Sequence, residues 1–226
     1  MDPRVEPVVV EVQVPAGMLG PNPISFEVRC FVVADSSGVV LVDSATPNST
    51  DAIGMALDRV GASWPDVSDI VLTHRHIDHT GGLAESVRLA SRAKVWAGAL
   101  DAPEIAFDGR GGVQPLFEGD HVAGLRVFHT PGHTPGHIGL LHEAASILFV
   151  GDLIGSRDGA LDFGPSAFTA DADLSRQSLR RMVDLGPRRI VFSHGEEISD
   201  PNTVIRDILD PEGTSPWAGR GSSPSG

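Results

Sequence analysis

A chain of 226 residues can bury a sizeable core without disulfides or other staples, as one large domain or two small ones. Apolar residues at 41% and charged residues at 21% describe an ordinary globular protein rather than a disordered or membrane-spanning one. A formal net charge of −13 repels a phosphate backbone, which argues against nucleic acid as a partner.

The N-terminal stretch MDPRVEPVVVEVQVPAG lacks the basic start and unbroken apolar run of a secretory leader. No apolar run in the chain approaches the ~18 residues needed to cross a bilayer. The expectation is a cytoplasmic protein with no membrane contact, acting on a small-molecule substrate; the pattern leaves its oligomeric state open. Residues 5–14 and 26–34 read as strands rich in Val and Phe, and VVLV (39–42) as a third. The lone Cys30, inside FEVRCFVV, reads as a small buried hydrophobe. Residues 50–60 read as a helix with Ile53, Leu57 and Val60 on one face. IVL (70–72) is a short strand, followed by a helix with Leu83, Val87 and Ala90 on one face, then the strand KVWA (94–97). The Gly/Pro-rich segment 103–120 reads as a long loop with at most short helical turns.

Further along, LRVFHT (125–130), IGLLH (138–142) and SILFV (146–150) read as strands. Residues 171–185 read as a helix with Leu174, Leu179, Met182 and Val183 on a shared face, and RIVF (189–192) as a strand. Asp200-Pro201 opens a helix over 201–209 as N-cap and first helical position. Residues 211–226 are poor in apolar residues and read as a disordered tail behind one domain over 1–210. Candidate pocket walls are the loops 15–25, 103–118 and 156–170, each carrying large apolar side chains such as Met18, Leu19, Phe107, Phe117, Phe163 and Phe168.

The chain holds nine His, and three of them fall with an Asp inside VLTHRHIDHTGG: His74, His76, Asp78 and His79. A fixed arrangement of this kind arises by chance in about one chain in a thousand of this composition. Other potential ligands also follow apolar strands at once. LRVFHT runs into Pro131-Gly132-His133, SILFV into Gly151-Asp152, and RIVF into Ser193-His194-Gly195. Ligands of α/β sheets gather at the carboxyl ends of strands, so four strand ends point to one site. Imidazole and carboxylate suit zinc and its first-row neighbours. Five His and two Asp exceed the needs of one tetrahedral ion and suffice for two, with a carboxylate between them.

The succession T-H-x-H-x-D-H-x-G-G, T-P-G-H-T-P-G-H, F-V-G-D and S-H-G resembles the metallo-β-lactamase superfamily, over about residues 8–209. The resemblance implies an α/β fold built as a four-layer αββα sandwich, two mixed β-sheets flanked by helices. It implies two divalent metal ions, zinc first, with iron or manganese as alternatives. His74, His76 and His133 match ligands of one ion, Asp78, His79 and His194 those of the other, and Asp152 the bridging carboxylate. Ser193 stands where glycine is common in the last motif. His137 matches a position behind the ligands. Asp43 ends the strand VVLVD at a place where family members often orient a metal-bound His; a strand-end turn is the alternative. His121, His129 and His142 read as strand residues.

Within the family, the full ligand set and the lack of any Tyr make this chain most similar to the glyoxalase-II-like branch. The expected activity is hydrolysis of acyl thioesters or related esters. A metal-bridging hydroxide would be the nucleophile, and Asp78 would also pass a proton toward the leaving group. The alternatives are a mononuclear iron persulfide dioxygenase, a lactonase or another hydrolase of this fold. The chain ends too soon for a full glutathione-holding C-terminal region, so the thiol half is expected to be recognised loosely.

Overall fold

The computed structural model describes residues 3–209 apart from 19, 108, 110, 158, 198 and 199. The tail expected over 211–226 and the pocket residue Leu19 lie outside the described residues. Six strands form the first sheet in sequence order: β1 (Arg4–Val14), β2 (Ile24–Asp35), β3 (Gly38–Val42), β4 (Val67–Leu72), β5 (Lys94–Gly98) and β6 (Val113–Leu116). The first three are antiparallel neighbours and the last four parallel ones. The second sheet contains β7 (His121–Val122), β8 (Leu125–His129), β9 (Ile138–His142), β10 (Ile147–Phe149) and β13 (Arg189–Val191) in the order β13-β10-β9-β8-β7. Only its β10–β13 pair is parallel. A separate hairpin pairs β11 (Gly155–Arg157) with β12 (Ala160–Asp162).

Strand alternation sorts the apolar residues into three cores. Phe31, Val33, Val40, Val42 and Val71 face Leu125, Val127, Ile138, Leu140, Ile147, Phe149 and Val191 between the sheets. Val28, Cys30, Val32, Leu41, Ile70 and Leu72 point the other way, toward helix α1 (Thr50–Val60) and helix α3 (Leu83–Leu89). Leu148 and Ile190 leave the second sheet toward helix α4 (Ala172–Val183) and helix α5 (Pro201–Leu209). Inner strands covered on both faces carry continuous apolar runs instead of alternating ones, as FVVA and VVLV do. The result is the αββα sandwich that the motif resemblance implied.

Three local expectations are corrected. Residues 103–120 are not all loop: β6 lies inside them as an edge strand, and Pro115 is tolerated there because an edge need not donate on both sides. The segment 156–170 contains the β11–β12 hairpin. In both cases the pairing partner, not local composition, makes the strand. Leu174 does not join the buried face of α4; it is 37% exposed, while Ser175, Ser178, Leu179, Met182 and Val183 turn inward.

The small serines of α4 have a reason. Ser178 donates its hydroxyl to the Pro131 carbonyl at 2.7 Å, and a Cβ on Gly132 would overlap the Ser175 backbone. The helix thus rests directly on the turn that carries His133. Asp171 caps the helix by accepting from the Leu174 N–H at 2.9 Å, a bond worth about 1 kcal/mol. Gly132 has a φ of 135°, which adds backbone strain to any side chain placed there. Gly132→Ala is therefore expected to lower unfolding free energy by about 2–3 kcal/mol, and Leu174→Ala to stay within about 0.5 kcal/mol of the parent. Urea denaturation of the two variants measures both.

Candidate metal centre

The four strand ends converge. Thr73 alone separates β4 from His74; His76 precedes the short helix α2 (Ile77–Thr80), which holds Asp78 and His79. His133 follows β8, Asp152 follows β10 and His194 follows β13. His76 Nδ1 lies 3.1 Å from His74 Nε2 and 2.9 Å from His133 Nε2. Asp152 Oδ2 lies 3.8 Å from His74 Nε2, 3.5 Å from His133 Nε2 and 3.1 Å from His194 Nε2. Its Oδ1 is 3.2 Å from His79 Nε2. Asp78 Oδ2 completes a second group, 3.4 Å from His194 Nε2 and 3.9 Å from His79 Nε2. All seven residues named from the motifs thus meet in two triads with Asp152 between them.

Hydrogen bonding alone does not account for this cluster. A ring nitrogen has one proton or one lone pair, so His76 Nδ1 cannot satisfy two imidazole nitrogens at once. His79 Nε2 and Asp152 Oδ1 are buried and, despite their proximity, make no aligned hydrogen bond. Donor atoms about 3.3 Å apart form the edge of a tetrahedron around an ion bound at about 2.0–2.1 Å. The separations within the three-histidine group are close to that size, so the residues present fit a cation in each triad.

The far side of each ring sets which nitrogen faces the cluster. His79 Nδ1 donates to Asp43 Oδ2 at 2.8 Å, which aims Nε2 at Asp152 and makes it the nitrogen a cation would take after displacing its proton. Thr73 donates its hydroxyl to Asp43 Oδ2 at 2.8 Å, so its oxygen accepts from His74 Nδ1 at 3.1 Å. His194 Nδ1 donates to the Glu27 carbonyl at 2.9 Å, and His133 Nδ1 faces the Thr169 hydroxyl at 3.3 Å. Asp43 thus serves two candidate ligands, one directly and one through Thr73. It adopts a left-handed φ of 61° to do so. His137 stands behind Asp152: its Nε2 accepts the Asp152 backbone N–H at 3.4 Å, and its Nδ1 donates to Thr130 at 2.8 Å.

The paired glycines of the first motif are steric. A Cβ on Gly82 would overlap the Ser44 carbonyl, and one on Gly81 would crowd Pro47. Only glycine lets α2 settle on the segment after Asp43, where Ser44 N–H bonds the His79 carbonyl at 2.8 Å. Sequence reasoning did not single out Thr73, Thr130 and Thr169. The first two sit beside or within the quoted motifs, whereas Thr169 carries no local signal. His121, His129 and His142 lie in strands; His142 is buried and donates through Nε2 to Asp35 at 3.0 Å.

Residues 26–194 match the profile of the family described as the metallo-beta-lactamase superfamily. This chain belongs to that superfamily. A hydroxyacylglutathione hydrolase of Rhodospirillum rubrum is 33% identical over 170 residues, covering 73% of this chain and 60% of that one. An atrochrysone carboxyl ACP thioesterase of Aspergillus terreus is 29% identical over 202 residues, covering 85% of this chain and 58% of that one. The chain therefore spans about three fifths of each of these curated relatives. Among solved structures, TTHA1623 in a di-iron-bound form superposes with a TM-score of 0.63 at 25% identity, covering 82% of this chain and 93% of that one. The family match and its hydrolase-named relatives place the chain among metal-dependent hydrolases, with a fold that implies divalent metal.

Electrostatics divide the metallo-β-lactamase ligand set in two. Burial holds the His74 imidazole well below its usual range, His76 below it, and His133 at about 4. His79 is as buried, but the Asp152 and Asp43 carboxylates overcome burial and hold it well above its usual range. Burial is overcome at His194 too, where Asp152 and Asp78 raise it to about 10. Asp152 is held well below the usual carboxylate range because His194 and His79 outweigh its burial. At neutral pH a cation therefore finds bare nitrogens on His74, His76 and His133, and must displace protons from His79 and His194. Affinity for the second cation should fall as pH falls, because protons compete for its two imidazoles. Filling the protein stripped by chelator at pH 7–8 should release about two protons per chain into weak buffer, read by an indicator dye. Release of none would contradict this division.

Proposed function

We propose that His74, His76 and His133 hold one divalent ion, that Asp78, His79 and His194 hold a second, and that Asp152 bridges them. Zinc is the first choice of metal; the di-iron form of a structural relative supports iron as the alternative. When bound, such ions supply Lewis acidity for a carbonyl and acidify water. The proposed reaction is hydrolysis of small acyl thioesters or related activated esters. The meeting of two complete triads on one carboxylate carries this reading. The names of the two curated relatives, a glutathione thioester hydrolase and an acyl-carrier thioesterase, support the bond type.

The chain's own groups supply orientation and proton handling. Asp43 aims His79 Nε2 directly and His74 Nε2 through Thr73. Asp78 is only partly buried, whereas His74 and His79 are fully buried. Burial is outweighed there by the His194 bond and the His79 charge, which hold its carboxyl below the usual range. It is placed to take up a proton and hand it to the departing thiolate. An open surface groove of about 470 Å³ runs along β1 and β2, lined by Val9, Glu11, Ser25, Phe26 and Glu27. The Phe26 ring meets the His194 ring edge-on at 5.5 Å. Glu11 and Glu27 stand directly opposite each other across the β1–β2 pair. Glu27 is paired with Arg29 at 3.1 Å, so Glu11 is the carboxylate that opposes an anionic thiol there, which supports small neutral leaving groups over glutathione or coenzyme A.

A panel of acyl-glutathione, acyl-coenzyme A, simple thioesters, a homoserine lactone, a cephalosporin and a phosphodiester, each with a chelated control, tests the assignment. The expected order puts a simple thioester first. Elemental analysis should find close to two metal ions per chain. His76→Ala and His133→Ala should each lose at least ~100-fold in kcat/KM, and His121→Ala should stay near the parent. A β-lactam or phosphodiester turned over at least ~10-fold better than every thioester, about 1.4 kcal/mol in the barrier, would remove the thioesterase reading. An active protein holding a single iron would replace it with the dioxygenase.

A further inference from the structure

Asp101 lies three residues beyond β5 and is fully buried. It touches none of the candidate ligand side chains, and nothing in the reaction proposed above uses it. Its oxygens are nevertheless fully engaged. Oδ2 accepts the Arg75 backbone N–H at 3.0 Å and the Thr134 hydroxyl at 2.6 Å. Oδ1 accepts the Gly136 backbone N–H at 2.8 Å and the Arg75 guanidinium at 3.3 Å. Every partner is a donor, which is the environment of a carboxylate. A buried anion is unfavourable unless its donors are complete, and here they are.

The identity of those donors is informative. Arg75 is the residue between His74 and His76. Thr134 follows His133, and Gly136 precedes His137. One carboxylate therefore ties the ligand loop that leaves the first sheet to the ligand turn that leaves the second. The backbone is fitted to this contact. A Cβ on Gly98, at the end of β5, would overlap the Gly136 carbonyl, and a Cβ on Gly136 would overlap the Asp101 backbone. Across the tie, His76 Nδ1 and His133 Nε2 stand 2.9 Å apart; a backbone bond from the Ile138 N–H to the Thr73 carbonyl at 2.9 Å joins the roots of the two segments. One N–H···N bond can join His76 Nδ1 to only one of its two imidazole neighbours, so the spacing of all three nitrogens needs support from behind them.

We propose that Asp101 is a positioning residue that clamps the Arg75 loop to the Thr134–Gly136 turn and so sets the spacing of His74, His76 and His133 for one cation. The clamp does not bear on His79 and His194, which are fastened separately by Asp43 and by the Glu27 carbonyl. This inference rests on the metal-centre reading, and its effect is local to the three-histidine triad.

The test measures Co²⁺ affinity by competition with a chromophoric chelator, on protein whose folding is checked by circular dichroism and thermal melting of the metal-free form. A His194→Ala background leaves the three-histidine triad as the complete site. In that background Asp101→Asn should weaken Co²⁺ by about 10–100-fold and alter its visible absorption. In a His76→Ala background, which leaves the other triad, Asp101→Asn should change affinity by less than about 3-fold. Thr134→Val removes one donor and leaves the carboxylate in place; it should give a smaller loss in the same direction, and it carries the test alone if Asp101→Asn does not fold. Unchanged Co²⁺ affinity and spectrum in both variants would overturn the proposal. So would equal weakening at both triads in step with a lowered melting point, because a general loss of stability would then explain the effect. Failure of the metal-centre reading is distinct: it would show in the parent protein, as no Co²⁺ bound at either triad.

Discussion

A metal-binding imidazole has to present a bare nitrogen, so its other nitrogen keeps its proton and points it, in a hydrogen bond, at an oxygen nearby. That constraint organises much of what surrounds the cluster. Asp43, Thr73, Thr169 and the Glu27 carbonyl each stand behind a candidate ligand and receive, or are placed to receive, such a bond. The cost is visible at Asp43, which takes a left-handed backbone conformation so that its carboxylate can reach both His79 and Thr73. The glycine pair after His79 follows from the same requirement, because α2 must lie against the backbone that follows Asp43.

The fold contributes by bringing strand ends together rather than by enclosing a cavity. The parallel strand β4 delivers His74 from one sheet, while β10 and β13 deliver Asp152 and His194 from the other. The two sheets are held face to face by a continuous apolar layer with Phe31 and Phe149 in edge-on contact at 5.4 Å. Polar side chains cluster where that layer ends, at the strand termini. An apolar core thus fixes the frame, and hydrogen bonds of 2.6–3.1 Å aim the side chains within it.

Much of this was legible in the residues. The apolar runs IVL, SILFV and RIVF each stop at a His or an Asp, and the structure brings those stops together. The elements that were missed depend on partners distant in the chain. The edge strand β6, with Pro115 inside it, looks like loop until β5 is beside it. Leu174 fits the apolar period of α4, yet Ser175 and Ser178 take the inner face because the turn carrying His133 leaves room only for small side chains. Asp101 has no motif around it; its role is defined by Arg75, Thr134 and Gly136, which no local pattern associates with it. The sequence leaves Asp43 between orientation and turn formation, and its bonds to His79 and Thr73 set it behind two candidate ligands.

The bond from His194 to the Glu27 carbonyl joins residues 167 positions apart. A ribosome makes the histidines of residues 74–79 more than a hundred residues before it reaches His194. During synthesis, a passing ion therefore meets first a fragment able to offer only part of either triad. The second triad can close only after the last strand has docked against β2. The proposed second triad therefore depends on long-range pairing of the chain, whereas His74, His76 and His79 lie within a few residues of one another.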